Sequence, residues 1–207
     1  MLSGAFRHGG QKQILKGFDL PMKTAYEMEI AGLKRSLPLC RVTDDLYIAA
    51  FIMFGDVEIT TACAKELLSR APEFDVMLTA EAKGIPLICE MARQAGTNKY
   101  IVARKGPKLY MKDIVTVKVN SITTDHQQEL SIDASDAAFM KNKRVLIVDD
   151  VISTGESLAA LEKLVNHVGG IISGRMAVLA EGEAADRSDI IYLEKLPLFH
   201  PDGSIME

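Results

Sequence analysis

Val145-Leu146-Ile147-Val148-Asp149-Asp150-Val151-Ile152-Ser153-Thr154-Gly155-Glu156-Ser157 decides how the rest of this chain is read. Arg144 to Val148 is one basic residue and an unbroken apolar run, the pattern of a strand buried on both faces. Asp149 to Gly155 reads as a loop, and Glu156 to Val168 as a helix closed by Gly169-Gly170. A helix N-terminus offers unpaired N–H groups and a positive dipole end, and a glycine beside it lets backbone amides approach an anion closely. Ser153, Thr154 and Ser157 add hydroxyl donors around Gly155, which suits a phosphate monoester. Asp149 and Asp150 would repel each other and a phosphate, so they make sense facing hydroxyl groups or a cation. An isolated Asp-Asp pair more often caps a loop or helix; the surrounding string favours a ligand here.

Upstream, Ile59 to Arg70 reads as a helix with Thr60 or Thr61 as its cap, ending before Pro72. Phe74 to Thr79 follows as a strand, then Glu81-Ala82-Lys83-Gly84, then a helix from Ile85 to Ala95. Lys99 to Ala103 is another strand, and Arg104-Lys105-Gly106-Pro107-Lys108 is a basic break too rich in Gly and Pro for a regular element. Residues 114–120 and 128–132 alternate apolar and polar around a polar connection, as the two strands of an antiparallel arm do. Arg175 to Ala180 is the last strand expected. Nearer the start, Thr24 to Ser36 carries Ala25, Met28, Ile30 and Leu33 at loosely helical spacing. Strands alternating with helices imply an α/β domain around a mostly parallel sheet, with ligand loops at the carboxyl ends of its strands. Segments 81–84 and 149–157 both fall on that edge.

A chain of 207 residues fits a single domain, here a core of residues 46–207 with an N-terminal extension of residues 1–45. Its 48% hydrophobic and 25% charged residues are those of a globular protein. A net charge of −4 argues against broad attachment to nucleic acid or anionic membrane and leaves a small anionic ligand open. Cys40, Cys63 and Cys89 have neither metal-ligand nor disulfide-framework spacing and read as reduced thiols. His126, a polar residue in the expected arm, reads as solvated, and His8, His167 and His200 lack a partner or a metal spacing; none receives a role. Met1 to Gly4 opens no signal-peptide core, no run is long enough to span a membrane, and Glu207 ends no address signal, so a cytoplasmic location is expected.

Val145 to Ser157 resembles the phosphoribosyl pyrophosphate signature of the type I phosphoribosyltransferase family: an apolar strand, two acidic residues, then a Thr-Gly phosphate loop. Neither GxGxxG nor GxxxxGK[ST] occurs to suggest another nucleotide fold. The resemblance implies an α/β fold with a mostly parallel central sheet flanked by helices, a hood and a flexible hairpin arm at roughly 106–132. It also implies that Asp149 and Asp150 hold the ribose hydroxyls, with Val151, Ile152, Ser153, Thr154, Gly155, Glu156 and Ser157 forming the 5′-phosphate loop. Glu81, Ala82, Lys83 and Gly84 resemble the pyrophosphate loop of adenine and xanthine transferases, where a cis peptide is expected at Ala82-Lys83. Arg104 matches a basic position used at the pyrophosphate end, with Lys105 and Lys108 as reinforcement. Catalysis would rest on Asp149, Asp150, Lys83 and Arg104, with Mg2+ bridged by substrate near the two aspartates and no protein nucleophile.

The implied reaction transfers a phosphoribosyl group to a purine, adenine first and xanthine next; the lysine-rich loop of orotate transferases is missing. Some relatives bind phosphoribosyl pyrophosphate only as a signal and regulate transcription. Asn120-Ser121-Ile122 and Val178 to Glu181 resemble those regulators as well as the enzymes, while a short extension and an acidic charge speak against an attached DNA-binding domain. The resemblance further implies a homodimer.

Overall fold

The structure, a computed structural model, describes residues 23–120 and 127–206. In chain order its elements are β1 (Ala25–Ile30), β2 (Leu33–Arg41), β3 (Tyr47–Ala49), α1 (Val57–Arg70), β4 (Val76–Ala80), α2 (Ile85–Gln94), β5 (Ile101–Ala103), β6 (Val115–Asn120) and β7 (Gln127–Ile132). Then come α3 (Ala134–Met140), β8 (Arg144–Ile152), α4 (Glu156–His167), β9 (Ile171–Glu181), a 3-10 turn (Gly182–Asp186), β10 (Ile191–Leu196) and β11 (Leu198–Phe199).

The central sheet runs β10-β9-β8-β4-β5 with every neighbouring pair parallel. Its middle strand explains the layers. Val145, Leu146, Ile147 and Val148 are all completely buried, and successive side chains point to opposite faces. Val145 and Ile147 pack in one apolar cluster with Leu161 and Val165 of α4 and with Leu130 and Ile132 of β7. Leu146 and Val148 pack in the other, with Leu67 of α1 and Ile88 of α2. A continuous apolar run is thus what a strand covered by helices on both sides requires.

A smaller sheet, β1-β2-β3-β11, covers the same face as α1 and α2. Its first pair replaces the helix expected over Thr24 to Ser36. Tyr26, Met28 and Ile30 alternate with the exposed Glu27 and Glu29, a period of two rather than 3.6. Ile30 pairs with Leu33 across a two-residue turn whose centre, Ala31 and Gly32, has φ values of 50° and 78°, the positive pair that a tight hairpin needs. This sheet also takes in β3 and β11, so it draws on both sides of the boundary expected at residue 45. Residues 1–22, with His8, and residues 121–126, with His126 and Ser121-Ile122, lie outside the described residues.

Three further expectations are corrected. β8 continues through Ile152, because Asp149 and Val151 still pair with Ala177 and Leu179 of β9, so the two aspartates end a strand rather than begin a loop. β9 is longer than Arg175 to Ala180, and the sheet gains β10 beyond it. The cap of α1 is Asp56, not Thr60 or Thr61: its Oδ1 accepts from the Ile59 amide at 3.1 Å, while Thr60 lies inside the helix. The arm forms as expected, β6 against β7, and its stem is seated rather than free, with Val117, Leu130 and Ile132 buried over α4. Among the described residues no helix is long and apolar enough to cross a membrane.

Asp56 also fastens the two sheets' layers together. Arg35 of β2 reaches it from Nε at 2.7 Å and from Nη2 at 3.1 Å, and Nη2 also reaches Glu58 at 2.8 Å. The Arg35 guanidinium holds the Asp56 carboxyl below its usual range. Replacing Asp56 by Ala removes the cap and the bidentate pair together, and chemical denaturation should register a loss of roughly 1–2 kcal/mol at unchanged m-value. Asp56→Asn, which keeps the cap acceptor, should lose less.

Candidate functional site

Four strand ends of the central sheet deliver loops to one edge. From β4 comes Glu81 to Gly84, from β5 the basic segment 104–108, from β8 the phosphate-loop candidate, and from β9 the turn 182–187. Parallel strands force this, since every carboxyl end points the same way.

At the end of β8, Asp150 is 2% exposed and Asp149 half-buried. Burial first, then the neighbouring Asp150 charge, pushes the Asp149 carboxyl well above the ordinary aspartate range. Asp149 Oδ1 accepts the Asp150 amide at 2.9 Å. Asp150 Oδ2 lies 2.9 Å from Lys83 Nζ, an ion pair that neutralises the deeper of the two carboxylates. Lys83 can reach it because Gly84 brings the loop down onto β8. A Cβ on Gly84 would stand 2.4 Å from Thr79 Oγ1 and 3.1 Å from Asp149 Oδ1, closer than side chains tolerate. The cis peptide of this loop is at Glu81-Ala82, one bond earlier than expected.

Glu81 organises the basic segment. It accepts from Arg104 Nη2 at 3.0 Å and from the Lys105 amide at 3.0 Å, and Lys108 Nζ lies at 3.5 Å. Arg104 and the Lys105 amide hold its carboxyl down to about 2. Arg104 donates from Nη1 to Tyr110 Oη at 2.7 Å, and its backbone pairs with Ser131 of β7, tying the segment to the arm. Arg104, Lys108 and the Lys105 amide therefore gather around one carboxylate, across the edge from Asp149 and Asp150.

Asp149, Val151, Ile152 and the loop Ser153 to Ser157 line a small hollow of about 50 Å³. Gly155 caps α4 with φ of 78°, a left-handed conformation that points the first amides of the helix into the hollow. Two features there were missed from the sequence. Arg187 brings Nη1 to 3.1 Å of where a Gly155 Cβ would be, while Nε and Nη2 pair with Asp189 at 3.0 and 2.8 Å. A second, larger cavity of about 560 Å³ adjoins the loop, sharing Ser153 and Thr154 with it. Val42, Leu46, Ile48 and Leu198 of the small sheet give it an apolar wall, and Glu181, Glu183 and Arg187 a charged one. The turn after β9 sits at a carboxyl strand end, and that position was the signal for both features.

A profile of the phosphoribosyl transferase domain matches residues 57–194, well over half of the chain. The chain belongs to the phosphoribosyl transferase family. An adenine phosphoribosyltransferase of Cenarchaeum symbiosum is 34% identical over 113 residues, 54% of this chain and 63% of that protein. A xanthine phosphoribosyltransferase of Bifidobacterium adolescentis is 31% identical over 101 residues, 48% of this chain and 51% of its own length. The chain thus spans between half and two thirds of these two relatives. Among solved structures, an adenine phosphoribosyltransferase from Rhodothermus marinus superposes with a TM-score of 0.60 at 18% identity, over 84% of this chain and 94% of that one. One from Thermoanaerobacter pseudethanolicus gives 0.56 at 23% identity, over 83% and 95%. These likenesses establish the type I phosphoribosyltransferase fold.

Two stability measurements probe this phosphoribosyl transferase edge in metal-free buffer. The Asp149 carboxyl titrates higher in the folded than in the unfolded chain, so it costs stability as pH rises past the ordinary aspartate value and costs nothing below it. Asp149→Asn should raise the melting temperature at neutral pH, by roughly 2–4 °C per kcal/mol gained, and the gain should vanish in strong acid. Glu81 has the opposite sign: its contribution is complete above the ordinary glutamate value and is lost as pH falls toward about 2. The wild type should therefore lose stability in acid relative to Glu81→Gln.

Proposed function

We propose that the protein transfers the 5-phosphoribosyl group of phosphoribosyl pyrophosphate to a purine base, adenine first, releasing pyrophosphate and a nucleoside monophosphate. The observation that carries this reading is the convergence, on one sheet edge, of a buried carboxylate pair, a cationic cluster and a helix-capping phosphate loop beside an apolar cavity.

The roles follow from charge. The left-handed Gly155 and the amides behind it, with the hydroxyls of Ser153, Thr154 and Ser157, suit the 5′-phosphate, with Arg187 alongside. Asp149 and Asp150 accept from the ribose 2′- and 3′-hydroxyls. Lys83, Arg104, Lys105 and Lys108 face the pyrophosphate, whose departure needs positive charge. The second cavity is wide enough for a flat heterocycle between apolar side chains.

Mg2+ fits the donor set, since two adjacent carboxylates are oxygen ligands of the kind it takes together with substrate oxygens, and no cluster of three potential ligands occurs among the described residues. When bound near Asp149 and Asp150 it would neutralise charge on the pyrophosphate. A ribose and a cation held at Asp149 and Asp150 would take over the charge balance that Lys83 gives Asp150 in the free protein, leaving Lys83 for the pyrophosphate. Exposed Ile52, Phe54 and Val57, close together ahead of and at the start of α1, support a homodimer. A cytoplasmic site of action is consistent with the absence of a membrane-crossing helix among the described residues.

Incubation with phosphoribosyl pyrophosphate, Mg2+ and each of adenine, guanine, hypoxanthine, xanthine and orotate tests the reading. Nucleotide should form with adenine most rapidly. Asp150→Ala should abolish phosphoribosyl pyrophosphate binding by calorimetry while the chain still folds. Binding without product from any base would replace the transferase by a sensor.

A further inference from the structure

Formation of a nucleotide from a free purine leaves one atom unaccounted for by the roles above. The ring nitrogen that attacks the ribose carries a proton, and that proton must leave for the ring to become neutral. Asp149 and Asp150 are committed to the ribose, and Asp150 to Lys83 in the free protein. Glu81 is held ionised by Arg104 and the Lys105 amide.

Glu181 is different. It is the last residue of β9 and lines the larger cavity opposite the small sheet. Glu181 is half-buried, lines the larger cavity, and finds no hydrogen-bond donor or ion-pair partner for its carboxylate among the described residues. Burial raises its proton affinity above that of an ordinary glutamate, and only the Lys83 charge opposes this. The charged groups around it are Lys83 from the loop after β4 and Glu183 and Arg187 from its own turn. The cavity wall from the small sheet, Val42, Leu46, Ile48 and Leu198, is uncharged. A half-buried carboxylate without a donor is costly unless a ligand supplies one, and the N–H of a heterocycle in this cavity is such a donor.

We infer that Glu181 is the proton acceptor of the reaction, a catalytic residue that binds the ring N–H of the incoming purine and takes its proton. The inference rests on the transferase reading. As N9 forms its bond to ribose C1′, the C1′–O bond to pyrophosphate breaks and its electron pair leaves with pyrophosphate. The N9–H proton passes to a carboxylate oxygen of Glu181, and the electron pair of that N–H bond stays on the ring.

The test compares wild type, Glu181→Gln and Glu181→Asp. AMP formation from adenine and phosphoribosyl pyrophosphate with Mg2+ is followed from about pH 5 to pH 9, alongside phosphoribosyl pyrophosphate affinity by calorimetry. Glu181→Gln should lose about 100-fold or more in kcat, the usual range for removal of a general base, with affinity unchanged within about twofold. The acid limb of the wild-type kcat profile, where Glu181 becomes protonated, should vanish in Glu181→Gln and persist in Glu181→Asp with part of the rate. A Gln variant within about threefold of wild type, or one retaining the acid limb, overturns the role of Glu181 and leaves the transferase reading intact. Weakened phosphoribosyl pyrophosphate binding in the Gln variant overturns it too, by making the residue structural. A wild type that binds phosphoribosyl pyrophosphate and turns over no base defeats the transferase reading, and this role with it.

Discussion

Two carboxylates side by side at the end of a buried strand repel each other, and a low-dielectric surrounding enlarges that repulsion. The carboxyl edge of this sheet is arranged around the problem. Lys83 supplies a charge to Asp150, and Gly84 has no side chain because Thr79 and Asp149 occupy the space one would need. The loop that carries both is therefore pressed against β8 by attraction and by close packing at once. One residue earlier than Ala82, Glu81 points the other way and collects Arg104, the Lys105 amide and Lys108. Four consecutive residues thus connect an acidic centre to a basic one, and neither could be moved without rebuilding the other.

The scaffold sets where these charges meet. With all four of these strands parallel, loops separated by about a hundred positions in the chain arrive on one edge. Strand parity then decides the face. Asp150 follows Val148 by two residues on the side covered by α1, α2 and the small sheet, and Glu181 lines the cavity against that small sheet. The opposite face belongs to α4, α3 and the stem of the arm. A one-residue slip of β9 against β8 would carry Glu181 out of the cavity as surely as a substitution would.

What the sequence made legible follows the same division. Val145 to Ser157 and Glu81 to Gly84 were placed at the carboxyl edge because strand, loop and helix follow one another there within a dozen residues. The parallel sheet followed from the alternation of elements. The small sheet was not readable: β3 and β11 have three and two residues, too short for any periodicity, and β11 joins β3 across about 150 positions. Thr24 to Ser36 was misread because Ala25, Met28, Ile30 and Leu33 satisfy a helical spacing, while the turn residues Ala31-Gly32 that forbid it were given no weight. Asp56 was passed over as a cap because the hydroxyls of Thr60 and Thr61 lay nearer the apolar run. The charged cavity wall was lost with the turn after β9, although the rule that located the other loops applied to it equally.

Natural structures leave few buried polar groups without partners, and those left tend to sit where a ligand completes them. Among the described residues, the buried side-chain polar atoms outside hydrogen-bonding geometry are Arg104 Nε, Asp150 Oδ2 and Ser173 Oγ. The first two lie on the candidate edge, where Lys83 balances the charge of Asp150 without forming an aligned hydrogen bond with it. Glu181 belongs with them in kind, half-buried and without a partner among the described residues. The protein can carry these costs because they are separated from what holds it together. Both apolar clusters lie below the edge, against the middle of β8 and β9, and lose nothing when a carboxylate at the rim changes its partner. A substrate that brings hydroxyl groups, a cation and an N–H donor to this edge would supply what each group lacks, so the imbalance of the free protein is itself a source of binding energy.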